Sequence, residues 1–530
     1  MIAPIRSTMQ RRRLLQSAAC AGGCVCAPAI VRAQSARIAA PYGVQVGDVV
    51  GDRAIIWSRT DRPARMRVRW ATTESMAEIA GGAITHVVED RDFTGKIELG
   101  SLSAGQRIFY EVDFLDLADL KGRSEPLRGS FVTPPAGKRN VRFVWSGDTA
   151  GQGWGINPDF GGMRIYETMR RVEPDFFIHS GDTVYADGPI YAEARAQDGK
   201  IWLGPDGKPW RNITIPEKEK VAETLREFRM NYAYNLLDAN LRAFNAAVPM
   251  YAQWDDHEVT NNWYWELRKD QDQRYQEGSV AILAGRAMRA FHDYMPTRLH
   301  PLEQDRLYSS FAYGPSLEVF RIDLRSYRGP NSEGLQTELS PEARILGERQ
   351  LGWLMQALKD SRATWKVIAC DMPIGLIVWD DFRNRKGAEA TAQGDMGPPL
   401  GRELEFAELF RFIRDQNIKN VVWLTADVHY TAAHRYNPNL AQFQEFTPFW
   451  EFVSGPLNAG TFGPNELDAT FGPEAVFVKA PEAGQVNLPP SAGMQFFGQV
   501  DIDGDSEVMT VRLKDLAGAT LFTQELAPEA

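Results

Sequence analysis

A carboxylate and a phenol stand three residues apart at the end of the segment Pro174–Tyr185, whose sequence is PDFFIHSGDTVY. Residues 175–179 form an apolar run of strand length, and Ser180-Gly181 ends it. Asp182 and Tyr185 therefore follow the carboxyl end of a predicted strand, where open α/β sheets bind ligands. Both side chains are oxygen donors when ionised and could bind one hard cation. The alternative is an Asp that caps a tight turn and a Tyr that packs beside it.

Other predicted strands also end in polar side chains. The runs 141–146, 248–254 and 420–425 are each followed by a polar cluster, and together these clusters contain Asp148, Asp255, Asp256, His257, Glu258, Asn261, Asn262, Asp427 and His429. Parallel strands place their carboxyl ends at one edge of a sheet, so we expect the clusters to converge. The set is rich in oxygen donors and poor in sulfur, which suits iron(III), manganese, calcium, magnesium or zinc.

A centre of two metal ions would explain why so many carboxylates are placed together. Without cations, their repulsion and desolvation would be costly. Two ions about 3.5–4 Å apart need a bridging ligand, can generate hydroxide, and stabilise the transition state of phosphoester hydrolysis. A nearby histidine can protonate the leaving alkoxide. The pattern predicts metal-dependent hydrolysis of small-molecule phosphate esters.

The elements that must position these residues alternate between strands and helices after residue 140. Further strands are predicted at 316–323 and 365–370, and helices at 163–172, at 403–416 and from Ser340-Pro341 onward. The segment 186–245 is predicted to be an insertion over the active face, with the possible role of a lid. Before residue 140, short alternating runs over 37–134 predict a small β-sandwich, and a Pro/Gly linker at 133–140 predicts the domain boundary.

The N-terminal segment predicts export. Arg11-Arg12-Arg13 precedes Leu14-Leu15 and a weakly apolar run from Ala18 to Val31, and Val31-Arg32-Ala33 resembles a signal-peptidase site. Residues 1–33 are therefore expected to be a twin-arginine signal peptide that engages the twin-arginine translocation machinery. The mature chain would then be periplasmic or secreted. The alternative is an ordinary secretory signal or a short anchor, but the run is too short and Gly-rich to span a bilayer.

Composition excludes several classes of protein. The net charge of −10 argues against a nucleic-acid-binding module, which is usually basic. No segment beyond the signal is long and apolar enough for a stable membrane span. The expected mature chain keeps only Cys370, in a predicted buried strand, so no intrachain disulfide is expected.

The order of the polar clusters resembles the calcineurin-like metallophosphoesterases, and more closely their alkaline phosphatase D (PhoD-like) family. The resemblance rests on Gly147-Asp148, Gly181-Asp182-Thr-Val-Tyr185, Asp255-Asp256-His257-Glu258, Asn261-Asn262-Trp263, Asp323-Leu-Arg325-Ser-Tyr327-Arg328, Trp365-Lys-Val and Asp427-Val-His429. It implies an α/β fold, a four-layer metallophosphoesterase sandwich with two facing sheets flanked by helices. It also implies an N-terminal β-sandwich domain at 37–134 and a catalytic domain at 140–530.

The resemblance also implies roles for individual residues. Asp182 would bridge two ions, which the resemblance implies are iron(III) and calcium. The iron shell would consist of Asp148, Tyr185 and His429 with the bridge, and the calcium shell would include Asp427. His257 would contact the phosphate or the leaving group. Asp256 stands where the superfamily has Asn, so Asp256, Asn261 or Asn262 could complete the second shell. Arg325 is either a phosphate clamp or a salt-bridge former.

Three rival functions remain open at this point. A phosphodiesterase or phospholipase D-type specificity would use the same site with a different pocket. A glycoside hydrolase would use Asp255 or Asp256 and need no metal. A non-enzymatic calcium-binding surface protein would hold metal through the same carboxylates but would not need His257.

Overall fold

The computed structural model describes residues 37–119, 121–196 and 199–529. The predicted signal peptide, residues 1–33, lies outside the described residues. Among the helices in the described ranges, none combines the length and the apolar character that a membrane crossing requires.

The chain is mixed α/β, with strands before residue 140 and alternating strands and helices after it. The strands are β1 (Val44–Val50), β2 (Arg53–Arg59), β3 (Ala64–Ala71), β4 (Gly81–Val87), β5 (Thr94–Leu99), β6 (Arg107–Leu115), β7 (Leu127–Val132), β8 (Val141–Ser146), β9 (Phe176–Ser180), β10 (Met250–Gln253), β11 (Ser309–Ala312), β12 (Leu317–Arg321), β13 (Trp365–Ala369), β14 (Trp379–Asp381), β15 (Lys386–Ala388), β16 (Val421–Thr425), β17 (Thr431–Tyr436), β18 (Phe449–Val453), β19 (Pro473–Lys479), β20 (Phe496–Ile502), β21 (Met509–Asp515) and β22 (Thr520–Leu526). The α-helices are α1 (Arg164–Arg171), α2 (Leu225–Asn235), α3 (Ala239–Ala247), α4 (Val280–Tyr294), α5 (Glu348–Asp360) and α6 (Glu403–Asp415).

Two large mixed sheets carry the strands that precede the polar clusters. The first has the order β22-β21-β20-β8-β9-β10-β1-β2-β5, and the second has the order β11-β12-β13-β16-β18-β17-β19. Strands β8, β9 and β10 are parallel neighbours in the first sheet, and β12, β13, β16 and β18 are parallel neighbours in the second. The carboxyl ends of each parallel set therefore share one edge of their sheet.

The two sheets face each other across an aromatic core. Phe176 on β9 stacks on Phe143 with ring centroids 4.7 Å apart and meets Tyr251 edge-on at 5.3 Å. Tyr251 in turn stacks on Phe311 of the second sheet at 3.7 Å. Burial of such rings contributes apolar area and specific geometry to the core.

Helices cover the outer face of each sheet. Side chains of α1 to α4, such as Phe228 and Phe244, pack with Phe177 on the first sheet. Side chains of α5 and α6, such as Leu354 and Phe410, pack with Trp423 on the second sheet. The result is a four-layer order of helices, sheet, sheet and helices.

The N-terminal strands form two packed layers, one of which extends the first large sheet. Strands β4-β3-β6-β7 make a separate sheet, whose Met66 and Val68 pack in one core with Val46 and Ile56 of β1 and β2. Strand β1 pairs in parallel with β10 through Gly47 and Met250. A Cβ atom on Gly47 would lie 2.6 Å from the Met250 carbonyl oxygen, so this close approach requires glycine.

The predicted catalytic strands are confirmed, and one predicted helix start is wrong. Strands β8, β9, β10, β12, β13 and β16 coincide with the predicted runs to within two residues at each end. The helix expected from Ser340 onward begins instead at Glu348, because Pro341–Ala343 forms a single 3₁₀ turn and Arg344 returns to extended backbone. Capping residues mark the start of a turn here, and they do not fix its length.

We expect Phe176→Ala to destabilise the fold by about 3–5 kcal/mol, because it empties the space between the two sheets. The matched control is Phe382→Ala, since Phe382 is 78% exposed and its truncation should change stability by less than about 0.5 kcal/mol. Urea unfolding midpoints of both variants, followed by circular dichroism, measure the difference. Equal midpoints for the two variants would contradict this account of the core.

Candidate metal centre

The candidate ligands lie in the turns that follow strands β8, β9, β10 and β16. Asp148, Asp182, Asp427 and His429 have φ angles of 68°, 51°, 66° and 60°, so each has left-handed backbone. For residues other than glycine this conformation costs of order 1–3 kcal/mol and is concentrated at functional sites. The turns thus hold strained backbone at four of the positions that the sequence predicts as metal ligands.

The first group of ligand atoms combines two carboxylates and an imidazole. Ligand atoms of Asp148, Asp182 and His429 all lie within 4.8 Å of one another. His429 Nδ1 donates to the Gly460 carbonyl, which leaves the Nε2 lone pair facing the site. That Nε2 lies 2.9 Å from the Tyr185 hydroxyl and 3.6 Å from Asp148 Oδ1. Tyr185 therefore joins the group, as predicted.

A second group shares Asp182 with the first, and a third group shares Asp256 with the second. Asp182, Asp256 and His257 form one of them, and Asp255, Asp256 and Asp427 form the other, with the same limit of 4.8 Å between ligand atoms. Asp182 belongs to the first two groups, so its carboxylate lies between them. This is the position that a bridging ligand would occupy.

Several carboxylate oxygens in these groups are buried and lack partners. Among the described residues, both oxygens of Asp148, Oδ2 of Asp255 and Oδ1 of Asp256 have no hydrogen-bond partner. Buried acceptors without donors are costly unless a cation binds them. The residues present therefore fit a metal centre with oxygen and nitrogen ligands.

The pKa values of the clustered aspartates also fit a site that binds cations. Burial raises the pKa of Asp148, Asp182 and Asp427 well above the usual range, and the neighbouring Asp255 and Asp256 raise it further. Bound cations would lower these pKa values again by stabilising the charged carboxylates.

His257 lies beside the groups of ligand atoms, where its imidazole could donate a proton. Its Nδ1 donates to Asp187 Oδ1 at 2.7 Å, its Nε2 lies 3.9 Å from Asp256 Oδ1, and its ring stacks on Tyr185 at 4.3 Å. Burial lowers its pKa, but Asp187 and Asp256 outweigh that effect and raise the pKa to about 9. The role of Asp187 was not predicted, because the sequence of a turn does not show which distant residue its carboxylate will contact.

Arg325 lies fully buried among carboxylates. Its Nε donates to Asp255 Oδ1 at 2.5 Å, its Nη1 donates to Glu389, and its Nη2 lies 3.9 Å from Asp427 Oδ1. These contacts are salt bridges, and Nη2 has no hydrogen-bond partner among the described residues, so the predicted role as a phosphate clamp stays a prediction. Glu389 was also missed, since it lies in a loop without a motif.

The two asparagines that were weighed as ligands also contact acidic residues near the groups. Asn261 has an exposed side chain, and its backbone N–H donates to Asp187 Oδ2 at 2.7 Å. The Asn262 amide donates to Asp380 Oδ1 at 3.1 Å, and its backbone N–H donates to Asp256 Oδ2 at 2.6 Å. Asp256 belongs to the second and third groups of ligand atoms.

Glu258 ties together the turns after β9 and β10. It accepts hydrogen bonds from the backbone N–H groups of Asp182 at 3.2 Å, Thr183 at 2.6 Å and Asp255 at 2.8 Å. The Thr183 hydroxyl donates to it at 2.5 Å. One buried carboxylate thus fixes two ligand-bearing turns relative to each other.

The segment 186–245 supports the turn that carries Asp182 and Tyr185. Lys218 Nζ donates to the Tyr185 carbonyl at 2.5 Å and to Asn231 Oδ1 at 2.8 Å, and Asn235 Nδ2 donates to the Thr183 carbonyl at 2.7 Å. Burial lowers the pKa of Lys218 to about 7. The segment that was expected to lie over the active face therefore supplies buried donors to the ligand turn.

Comparisons with known proteins agree with this architecture. Residues 143–513 match the profile described as PhoD-like phosphatase, and residues 25–135 match the one described as PhoD-like phosphatase, N-terminal domain. Alkaline phosphatase D of Bacillus subtilis (strain 168) is 25% identical over 448 residues, which are 79% of this chain and 70% of that protein.

Solved structures show the same fold. A structure of PhoD superposes with a TM-score of 0.64 at 19% identity and covers 92% of both chains. Purple acid phosphatase PPD1 from yellow lupin (Lupinus luteus) superposes with a TM-score of 0.53 at 11% identity, over 93% of this chain and 74% of that one. The predicted α/β metallophosphoesterase fold with an N-terminal β domain is confirmed. The chain belongs to the PhoD-like phosphatase family and is a phosphoric ester hydrolase.

Proposed function

We propose that this protein is an exported alkaline phosphatase D-like enzyme that hydrolyses phosphate esters at a centre of two metal ions. The observation that carries the proposal is the placement of Asp182, whose carboxylate belongs to two of the three groups of ligand atoms. The buried oxygens without partners around it support the same conclusion.

The residues divide between two shells. Asp148, Asp182, Tyr185 and His429 would hold iron(III), a hard ion that suits carboxylate and phenolate oxygens. Asp182, Asp256 and Asp427 would hold calcium, with Asn261 as the alternative donor. Zinc, manganese or magnesium would also suit this mixture of oxygen and nitrogen ligands. When bound, the two cations supply a nucleophile at neutral pH and neutralise charge on the phosphate.

The protein's own groups supply orientation and a proton. Asp187 accepts the Nδ1 proton of His257 at 2.7 Å and helps raise the pKa of this histidine to about 9, so the imidazolium form carries a second proton on Nε2, towards the carboxylates. It would donate this proton to the leaving oxygen of the substrate. Arg325 and Glu258 hold Asp255 and the two ligand turns in place.

Export and domain limits belong to the same proposal. The paired arginines and the weakly apolar run within residues 1–33 support a twin-arginine signal and a periplasmic or secreted location. The Pro/Gly linker at 133–140 supports separate regions at 37–134 and 140–530.

Chelation should abolish hydrolysis. We expect turnover of an aryl phosphate monoester and of the matching diester to be lost after dialysis against a chelator and to return with added cations.

Asp182→Asn should lower metal content and cut turnover by roughly 100-fold or more, since mutating even the outer-shell partners of metal ligands lowers metal affinity or activity by 10–100-fold. Asp159→Asn is the control, because Asp159 is exposed. Elemental analysis and visible absorbance identify the ions. Turnover that survives exhaustive chelation would exclude the two-metal mechanism, and a colourless protein would exclude iron bound to Tyr185.

His257→Ala should cut turnover by about 10²–10⁴-fold while the metals stay bound. The contact of this residue with Asp182 runs through its backbone N–H at 3.0 Å, so truncation of the side chain leaves it intact. His86→Ala, at an exposed position, is the control. Loss of metal from His257→Ala would show that this histidine is a ligand and not a proton donor.

Lys218→Met should accelerate the loss of metal to a chelator. The substitution removes one of the two donors to the buried Tyr185 carbonyl, which keeps only the Gly188 N–H at 3.2 Å, and a lost hydrogen bond of this kind costs about 0.5–1.5 kcal/mol. Asn231→Ala is the matched control, because it removes the other buried partner of Lys218 without touching the ligand turn. The half-life of bound metal in a chelator, measured beside the unfolding midpoint, separates the two effects. Equal metal half-lives in both variants would contradict the role of Lys218.

A further inference from the structure

A cavity lies away from the candidate metal centre, between β1 and β10 of the first sheet and β11 and β12 of the second. Its volume is about 220 Å³, and it shares no lining residue with the three groups of metal-ligating atoms. Its polar donors are Arg298, Arg306, Arg321, His300, Ser309 and Thr297. Asp48 is the carboxylate among the lining residues.

Arg321 forms the buried end of the cavity. It is 7% exposed, donates from Nη1 to the Ala252 carbonyl at 3.2 Å and from Nη2 to Ser309 Oγ at 2.7 Å, and lies 3.1 Å from Asp48 Oδ1. Its Nε is buried and has no hydrogen-bond partner among the described residues. A guanidinium donor is therefore available at a fixed position in the cavity wall.

Arg298 contacts the other carboxylate oxygen of Asp48. Its backbone N–H donates to Asp48 Oδ2 at 2.6 Å, its Nη1 donates to the Asp48 carbonyl at 3.3 Å, and its Nε donates to Glu98 at 3.0 Å. Within the described part of the chain, its buried Nη2 and the buried hydroxyl of Thr297 have no partner. These are two further donors that the protein itself does not satisfy.

Arg306 and His300 complete the wall towards solvent. The Arg306 guanidinium lies over the Tyr308 ring at 4.0 Å, which fixes its plane, and its Nη1 is 3.9 Å from Glu303 Oε2. His300 Nδ1 accepts from the Glu303 backbone N–H at 3.1 Å, so its proton is on Nε2. Both side chains are half-buried and are accessible to a small solute.

The chemistry of these groups favours an anion. Three guanidinium groups and one carboxylate line the cavity, and Glu98 and Glu303 contact Arg298 and Arg306 from outside the lining. The buried donors that remain unpaired are costly until an acceptor fills them. Guanidinium groups bind tetrahedral oxyanions through paired N–H donors, whereas a purely structural role would leave the Arg321 and Arg298 donors unused. We propose that this cavity is a binding site for a phosphate-sized tetrahedral oxyanion, separate from the metal centre. In a phosphatase, such a site would respond to the concentration of the product.

Equilibrium dialysis of the full chain against radiolabelled inorganic phosphate tests the proposal. Asp182→Asn disables phosphate binding at the metal centre, and we expect this variant to keep one bound phosphate per chain. Adding Arg298→Gln and Arg306→Gln should weaken that remaining site by at least about tenfold. Sulfate should compete with phosphate there, and acetate should not.

The control is Arg349→Gln, which removes an exposed guanidinium paired with Glu303 and should leave phosphate binding unchanged. If the double substitution prevents folding, Arg306→Gln alone at the rim should still weaken binding, and Arg306→Lys should restore part of it. Absence of phosphate binding in Asp182→Asn, affinity unchanged by the arginine substitutions, or equal competition by acetate would each overturn the proposal. These outcomes do not depend on whether the metal centre hydrolyses phosphate esters.

Discussion

The repulsion between buried carboxylates is the constraint on which the rest of the site depends. Asp148, Asp182, Asp255 and Asp256 lie at three adjacent strand ends, and burial alone raises the pKa of the first three. Arg325 offsets part of this charge through Asp255. Bound cations would offset the remainder, so we expect metal binding to stabilise this set of groups.

Much of this arrangement could be predicted from sequence, because each main ligand follows a strand whose length and apolar character are visible. Asp148, Asp182, Asp427 and His429 share that position, and their order along the chain carries the family resemblance. Asp187, Glu389 and Lys218 could not be found in this way. Asp187 and Glu389 contact partners more than 60 residues away, and Lys218 acts on a backbone carbonyl, which has no signature in sequence.

The sequence also does not predict which strands become neighbours in a sheet. The alternating pattern of residues 44–50 predicts a strand, but nothing in it predicts that β1 joins β10 of the catalytic sheet. Only the glycine at position 47 marks the close approach, and a glycine in a strand has several explanations. Periodicity specifies which face of a strand is buried and leaves its neighbour undetermined.

The ligand turns are held from two directions, which links the stability of the segment 186–245 to the chemistry of the site. Glu258 fixes the turns after β9 and β10 from within the sheet, and Lys218 and Asn235 fix the first of them from the segment 186–245. Sequence changes that loosen this segment would therefore alter metal retention without touching a ligand.

Strand β8, which precedes Asp148, lies between β9 and β20, and β20 spans Phe496–Ile502 near the far end of the chain. During synthesis, this part of the sheet stays incomplete until residues 496–502 have left the ribosome. Contacts of such long sequence separation form late and slowly. The strand that precedes Asp148 thus gains its second neighbour only after all the candidate ligands, of which His429 is the last, have been synthesised.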